Sequence, residues 1–177
     1  MIRPSNLALL FISILAVAGC SGLPSPSPYA GQEGRAVKAL SQREASDLLA
    51  GAGMGYAKAA ELNGYPGPMH VLELATRLGL SAEQQAAVKA LLDAHKAEAR
   101  RLGAEVVQLE TQLDALFASG GASTDAVDVT VARLAATAGQ LRASHLRAHV
   151  TTTALLTREQ VTRYAALRGY GGGHEAH

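Results

Sequence analysis

Two long stretches of the chain place apolar side chains at alternating three- and four-residue steps. Val88, Leu91, His95, Leu102, Val106, Leu109, Leu113 and Leu116 make one stripe, and Val127, Val131, Leu134, Ala138, Leu141, His145, Thr152 and Leu155 make the other. Residues at that period share a helix face, so each stretch predicts a long amphipathic helix. The first opens at Ser81, where Gln84 can close a capping box, and ends near Ser119-Gly120-Gly121. The second opens near Ser123 or Thr124, and so short a connection predicts an antiparallel hairpin. In the register this loop sets, facing residue numbers add to about 243, which pairs Leu116 with Val127, Leu109 with Leu134 and Leu102 with Leu141.

Shorter elements flank the pair. Ser41-Gln42-Arg43-Glu44 is a capping box that opens a helix ended by Gly51, Gly53 and Gly55. A second segment, Tyr56 to Leu62, stops at the turn formers of Asn63-Gly64-Tyr65-Pro66-Gly67-Pro68, and a third helix runs from Pro68 to a C-cap at Gly79. The last begins after Leu156-Thr157-Arg158-Glu159-Gln160 and ends near Leu167. A helical hairpin is thin and its stripes need a second layer, which the short helices or a second copy of the chain would supply. The expected fold is all-α: a long antiparallel hairpin with short flanking helices, assembled as a homodimer.

The ends change the picture. Arg3, an apolar run from Leu7 to Val17, and the small residues Ala18 and Gly19 read as a secretory signal over residues 1 to 19, too short an apolar run to span a membrane. Val17-Ala18-Gly19-Cys20 resembles the lipobox of bacterial lipoproteins, which implies that Cys20 becomes a lipidated N-terminus and ties the chain to a membrane. Several acyl chains would make that attachment effectively permanent. Cys20 is the only cysteine, so neither an intrachain disulfide nor a thiolate metal site is available. Ser21, where the resemblance would put Asp in an inner-membrane protein, points to the periplasmic face of the outer membrane. Residues 20 to 40, with Pro24, Pro26 and Pro28 among small polar residues, read as a lipidated end and linker; residues 41 to 170 form the helical domain; residues 171 to 177 are a Gly/His tail.

Removing Arg3 from the 16 Lys and Arg residues leaves 15 against 15 acidic ones. That balance offers nucleic acid no basic footprint. No nucleophile with its base, buried carboxylate pair or phosphate-binding loop is recognisable, which argues against an enzyme.

His145 and His149 lie four residues apart on one helix face, a spacing that lets two imidazoles approach one ion. In the hairpin register Glu98 faces His145 and Ala148 faces His95. His95, Glu98, His145 and His149 therefore form a candidate metal site, whose three imidazoles and carboxylate suit a divalent Zn, Ni, Co or Cu ion. The competing reading is structural, with His95 and His145 satisfied by neighbours in the helix seam and His149 solvated. His70 is a further candidate ligand near a helix start, and His174 and His177 on the tail offer a weaker pair.

Leu80-Ser81-Ala82-Glu83-Gln84 and Leu156-Thr157-Arg158-Glu159-Gln160 both fit an L-[TS]-x-x-Q pattern, one before each of two helices. Together with the hairpin they resemble the Spy/CpxP/ZraP superfamily of periplasmic stress proteins over Ser41 to Tyr170. The segment from Gly53-Met54-Gly55 to Leu74 is similar to its lipoprotein branch of periplasmic heavy metal sensors. The resemblance implies a membrane-anchored metal-binding sensor or resistance protein. Its alternative is an ATP-independent chaperone for unfolded envelope proteins, or a regulator of a sensor kinase. The basic concave face of the chaperone members survives here only locally, since Arg133, Arg142 and Arg147 are the sole charged residues from Thr130 to Thr157.

Overall fold

The computed structural model describes residues 26–170. Cys20, the signal segment, His174 and His177 lie outside them. Residues 26–31 belong to one compact unit and form a turn in which the Ala30 N–H donates to the Ser27 carbonyl. The second unit, from Gln32 onward, carries every helix and is all-helical among the described residues.

Helix order follows the capping signals. α1 (Gln42–Ala50), α5 (Ala82–Ala118) and α7 (Arg158–Leu167) each open on a complete capping box, at Ser41/Glu44, Ser81/Gln84 and Thr157/Gln160. Each cap contributes about 1 kcal/mol. α6 (Thr124–Ala154) is capped by Ser123. The short helices between them are α2 (Lys58–Glu61), α3 (Pro68–Glu73) and α4 (Ala75–Leu78). The helix expected to run unbroken from Pro68 to Gly79 is divided at Leu74, whose backbone leaves the helical region at φ −99° and ψ 9°. Gly51 and Gly79 end α1 and α4 in the left-handed conformation that a Cβ disfavours.

α5, at 37 residues about 55 Å long, packs along α6. Cross-helix bonds join Gln84 to Leu155, Glu98 to Ser144 and Glu105 to Thr137, so position advances along one helix as it retreats along the other. The last two pairs lie within a residue of the expected register. The seam differs from the apolar stripes in detail: Thr137, Ser144 and Ala148 are buried, whereas Val131 is exposed. Small residues win these positions because they let the helix axes approach. The short helices gather over the other end of the pair, leaving Phe117, Val129 and Val131 uncovered.

Two apolar clusters hold the layers together. Leu48 of α1 packs on Ala99, Leu102 and Val106 of α5 and Leu141 of α6. The crossing depends on Gly103, where a Cβ would overlap the Leu48 carbonyl. Packing begins ahead of Ser41, because Val37 is buried, Leu40 joins this cluster and Lys38 pairs with Asp114 at 3.0 Å. The second cluster joins Val71, Leu78, Leu80 and Val88 to Tyr164 of α7.

The two L-[TS]-x-x-Q segments meet. Gln84 Nε2 donates to Gln160 Oε1 at 2.9 Å and to the Leu155 carbonyl at 2.9 Å. Gln160 Nε2 returns a bond to Gln84 Oε1 at 3.0 Å and donates to the Gly79 carbonyl at 3.3 Å. Each carbonyl oxygen also accepts the N–H of its own cap residue, Ser81 or Thr157. One reciprocal amide pair thus ties the starts of α5 and α7 together and satisfies backbone groups of both.

Candidate functional site

A cavity of about 320 Å³ lies where the Gly51–Ala57 loop, α2 and the start of α3 meet α5, α6 and the end of α7. His70, His95, His145 and His149 all line it. α5 contributes His95 and α6 contributes His145 and His149, one turn apart. The rings of His95 and His145 meet edge to face with centroids 4.5 Å apart, and Tyr56 stacks on His145 at 5.4 Å.

Hydrogen bonding fixes the tautomers of two rings. Ser144 Oγ donates to Glu98 Oε2 at 3.0 Å, so the contact of 3.1 Å between His95 Nδ1 and Ser144 Oγ has the imidazole as donor. His149 Nδ1 is 2.7 Å from the Tyr65 carbonyl, which only accepts. Both rings therefore carry a proton on Nδ1. His149 can sit there because residue 67 is glycine, since a Cβ at that position would stand 2.9 Å from its Cε1. His145 has a buried Nε2 with no hydrogen-bond partner. Burial, with His95 and His149 close by, pushes its pKa from 6.5 down to about 4, so the ring is neutral at pH 7. Burial likewise lowers that of His95, against the opposing pull of Glu98.

Glu98 does not face His145. It straddles that residue, accepting from Ser144 and pairing with Arg147 at 3.4 Å. Glu61, which the sequence did not single out, is the carboxylate in the cavity wall. Its Oε1 accepts from Tyr164 Oη at 2.6 Å and Tyr170 Oη at 2.9 Å, with Arg168 Nε 3.6 Å away. Its buried Oε2 has no hydrogen-bond partner and lies 3.5 Å from His149 Nδ1. Burial, then the bond to Glu61, raises the Tyr164 pKa and keeps its phenol a donor. Nothing in α2 could have announced Glu61, because one helical turn shows no periodicity from which to read a buried face. His70 turns to Glu73, 2.8 Å away.

His95 and His149 are each anchored through Nδ1, as ligating histidines characteristically anchor the nitrogen that does not bind. The chain's own set is incomplete: among the described residues no three His, Cys, Asp or Glu side chains are arranged to hold an ion. Compared with known protein families, curated proteins and solved structures, the chain matches none.

Proposed function

We propose that this chain is a lipid-anchored periplasmic protein of the Spy/CpxP/ZraP type that binds a divalent transition metal in the histidine cavity, as a sensor or resistance protein. Cys20 would supply the anchor and outer-membrane sorting the location. The observation that carries the reading is His145, a neutral ring that lines the cavity beside two further imidazoles and whose buried Nε2 has no hydrogen-bond partner. Leaving such an atom unsatisfied costs about 1–3 kcal/mol, which an ion would recover. His95, His145 and His149 are the candidate ligands, which an ion would have to draw closer together than they stand, while Glu98 holds His95 through Ser144 rather than ligating. Imidazole donors suit Zn, Ni, Co or Cu(II), and a bound ion would bias the packing of the Gly51–Ala57 loop on α5 and α6. The test is calorimetric titration with zinc, nickel and copper. Saturable binding at micromolar or tighter affinity, lost in His145→Ala and His149→Ala, is the expected result; binding that survives replacement of all three histidines removes the site.

A second reading rests on the uncovered end of the long helix pair, where Phe117, Val129 and Val131 are 59%, 62% and 44% exposed beside Arg133. An apolar face of that kind suits a holdase for unfolding envelope proteins or a contact with a sensor kinase or a second copy of the chain. Suppression of the aggregation of a model client, abolished by Val129→Lys, is its expected signature; no suppression with or without metal rejects it.

A further inference from the structure

Past Met1 the chain has two methionines, Met54 and Met69. Both line the same cavity and both are exposed, at 40% and 44%, although methionine is among the residues most often buried. Met54 is also the only residue other than glycine with positive φ among the described residues, at 43°. The Tyr56 N–H donates to the Gly53 carbonyl at 2.8 Å, so Met54 and Gly55 are the central pair of a β-turn, and both have positive φ. That is the backbone of a type I′ turn, whose central positions suit Gly, Asn and Asp and strain a longer side chain. Such strain persists only where surrounding contacts hold it. Two contacts are available here: the cavity wall, to which Met54 contributes, and the next ring along, Tyr56, which stacks on His145 at 5.4 Å.

We infer that Met54 is an oxidation-sensitive latch on the cavity, and that conversion of its thioether to the sulfoxide releases the turn at 53–56 and unseats Tyr56 from His145. The oxidant is a peroxide. A sulfur lone pair attacks one peroxide oxygen and the O–O bond breaks. The proton on the transferred oxygen passes to the departing hydroxide, so hydrogen peroxide leaves one sulfoxide and one water. Sulfur loses two electrons and the peroxide gains them. The product replaces a flexible apolar group with a polar one, which favours water over the cavity wall. The apolar contact that offsets the strained φ is then lost, and the turn relaxes. Reduction of the sulfoxide restores the thioether and closes the turn again. Met69 is as exposed but belongs to α3, in helical backbone, so oxidation there relieves no such strain. The latch needs no bound metal.

Hydrogen exchange read by mass spectrometry on the full-length protein tests this, because the Tyr56 and Lys58 amides bond within the segment, to the Gly53 and Gly55 carbonyls. After hydrogen peroxide treatment, with sulfoxide at residues 54 and 69 scored by peptide mapping, these amides should exchange at least about ten-fold faster, while α5 and α6 keep their rates. A methionine sulfoxide reductase should restore the original exchange. Met54→Leu keeps an apolar side chain without the sulfur, and its turn should ignore peroxide although Met69 is still oxidised. Met54→Gln, polar without any oxidant, should exchange fast from the start. Unchanged exchange once Met54 is oxidised, or a Met54 that resists a dose of peroxide sufficient for Met69, overturns the inference. A response that survives in Met54→Leu belongs to Met69 and overturns it equally.

Discussion

Gly103→Ala sets two effects of known size against each other. In the interior of a solvated helix, alanine is favoured over glycine by about 1 kcal/mol. At Gly103, however, the added methyl would overlap the Leu48 carbonyl carbon and oxygen, and a backbone group has no rotamer to retreat into. α1 must lift from α5, at an overpacking cost of about 1–3 kcal/mol. Part of the Leu48 burial goes with it, worth up to about 2 kcal/mol. The clash wins, and a net loss of about 2–3 kcal/mol is expected. Gly139→Ala in α6 is the matched control, since a Cβ there meets nothing within 4 Å, and it should gain about 0.5–1 kcal/mol. Urea unfolding followed by circular dichroism reads both as shifts of the midpoint at constant slope. α1 also leads into the loop carrying Tyr56, which stacks on His145, so Gly103→Ala should loosen the cavity as well. A Gly103→Ala protein as stable as the wild type would show that the close crossing of α1 and α5 is misplaced.

Three further outcomes are expected. An unfolded His145 takes its proton near its ordinary 6.5, while the folded one resists until about 4. The unfolded state therefore binds more protons between those values, and stability is full above pH 6.5 and falls as pH drops toward 4. The gap is worth about 3 kcal/mol; equal pH profiles for wild type and His145→Gln would reject this. Gln160→Leu strips partners from the Gly79 carbonyl, the Thr157 N–H and Gln84, and should cost about 1–3 kcal/mol. A double-mutant cycle with Gln84→Leu should give a coupling above about 0.5 kcal/mol, and strict additivity would mean the amide pair does not form. Gly67→Ala pushes on the His149 ring and should weaken metal binding with every proposed ligand still present, an effect that unchanged calorimetry would deny.

What could be read ahead of the structure was local. Capping boxes span four residues, so Ser41 and Ser81 announced their helices without reference to anything distant, and Gly51 and Gly79 marked ends by their tolerance of positive φ; α7 starts at Arg158 rather than after Gln160, because Thr157 and Gln160 form a third such box. The two long helices followed from periodicity sustained over eight or more turns. The contacts of Glu98 with Ser144 and of Glu105 with Thr137 lie within a residue of the expected register, whereas that of Gln84 with Leu155, at the far end, does not. The candidate site was legible only in its imidazoles. His95, His145 and His149 belonged to long helices whose faces could be computed, whereas Glu61 belongs to one turn and is positioned by Tyr164 and Tyr170, more than a hundred residues away in the chain. A one-residue offset separates Glu98 facing His145 from Glu98 accepting from Ser144, and that offset decides between ligand and support. The meeting of Gln84 with Gln160 was likewise hidden, because each glutamine is fully explained locally by its own capping box.

The metal site at the centre of this reading is tested most directly by anomalous diffraction at the zinc edge from crystals grown with one equivalent of zinc. A single peak in the cavity at bonding distance, about 2.0–2.1 Å, from Nε2 of His145 and of at least one of His95 and His149 is the predicted result. A peak elsewhere, at the tail histidines for example, or none at all, would contradict it.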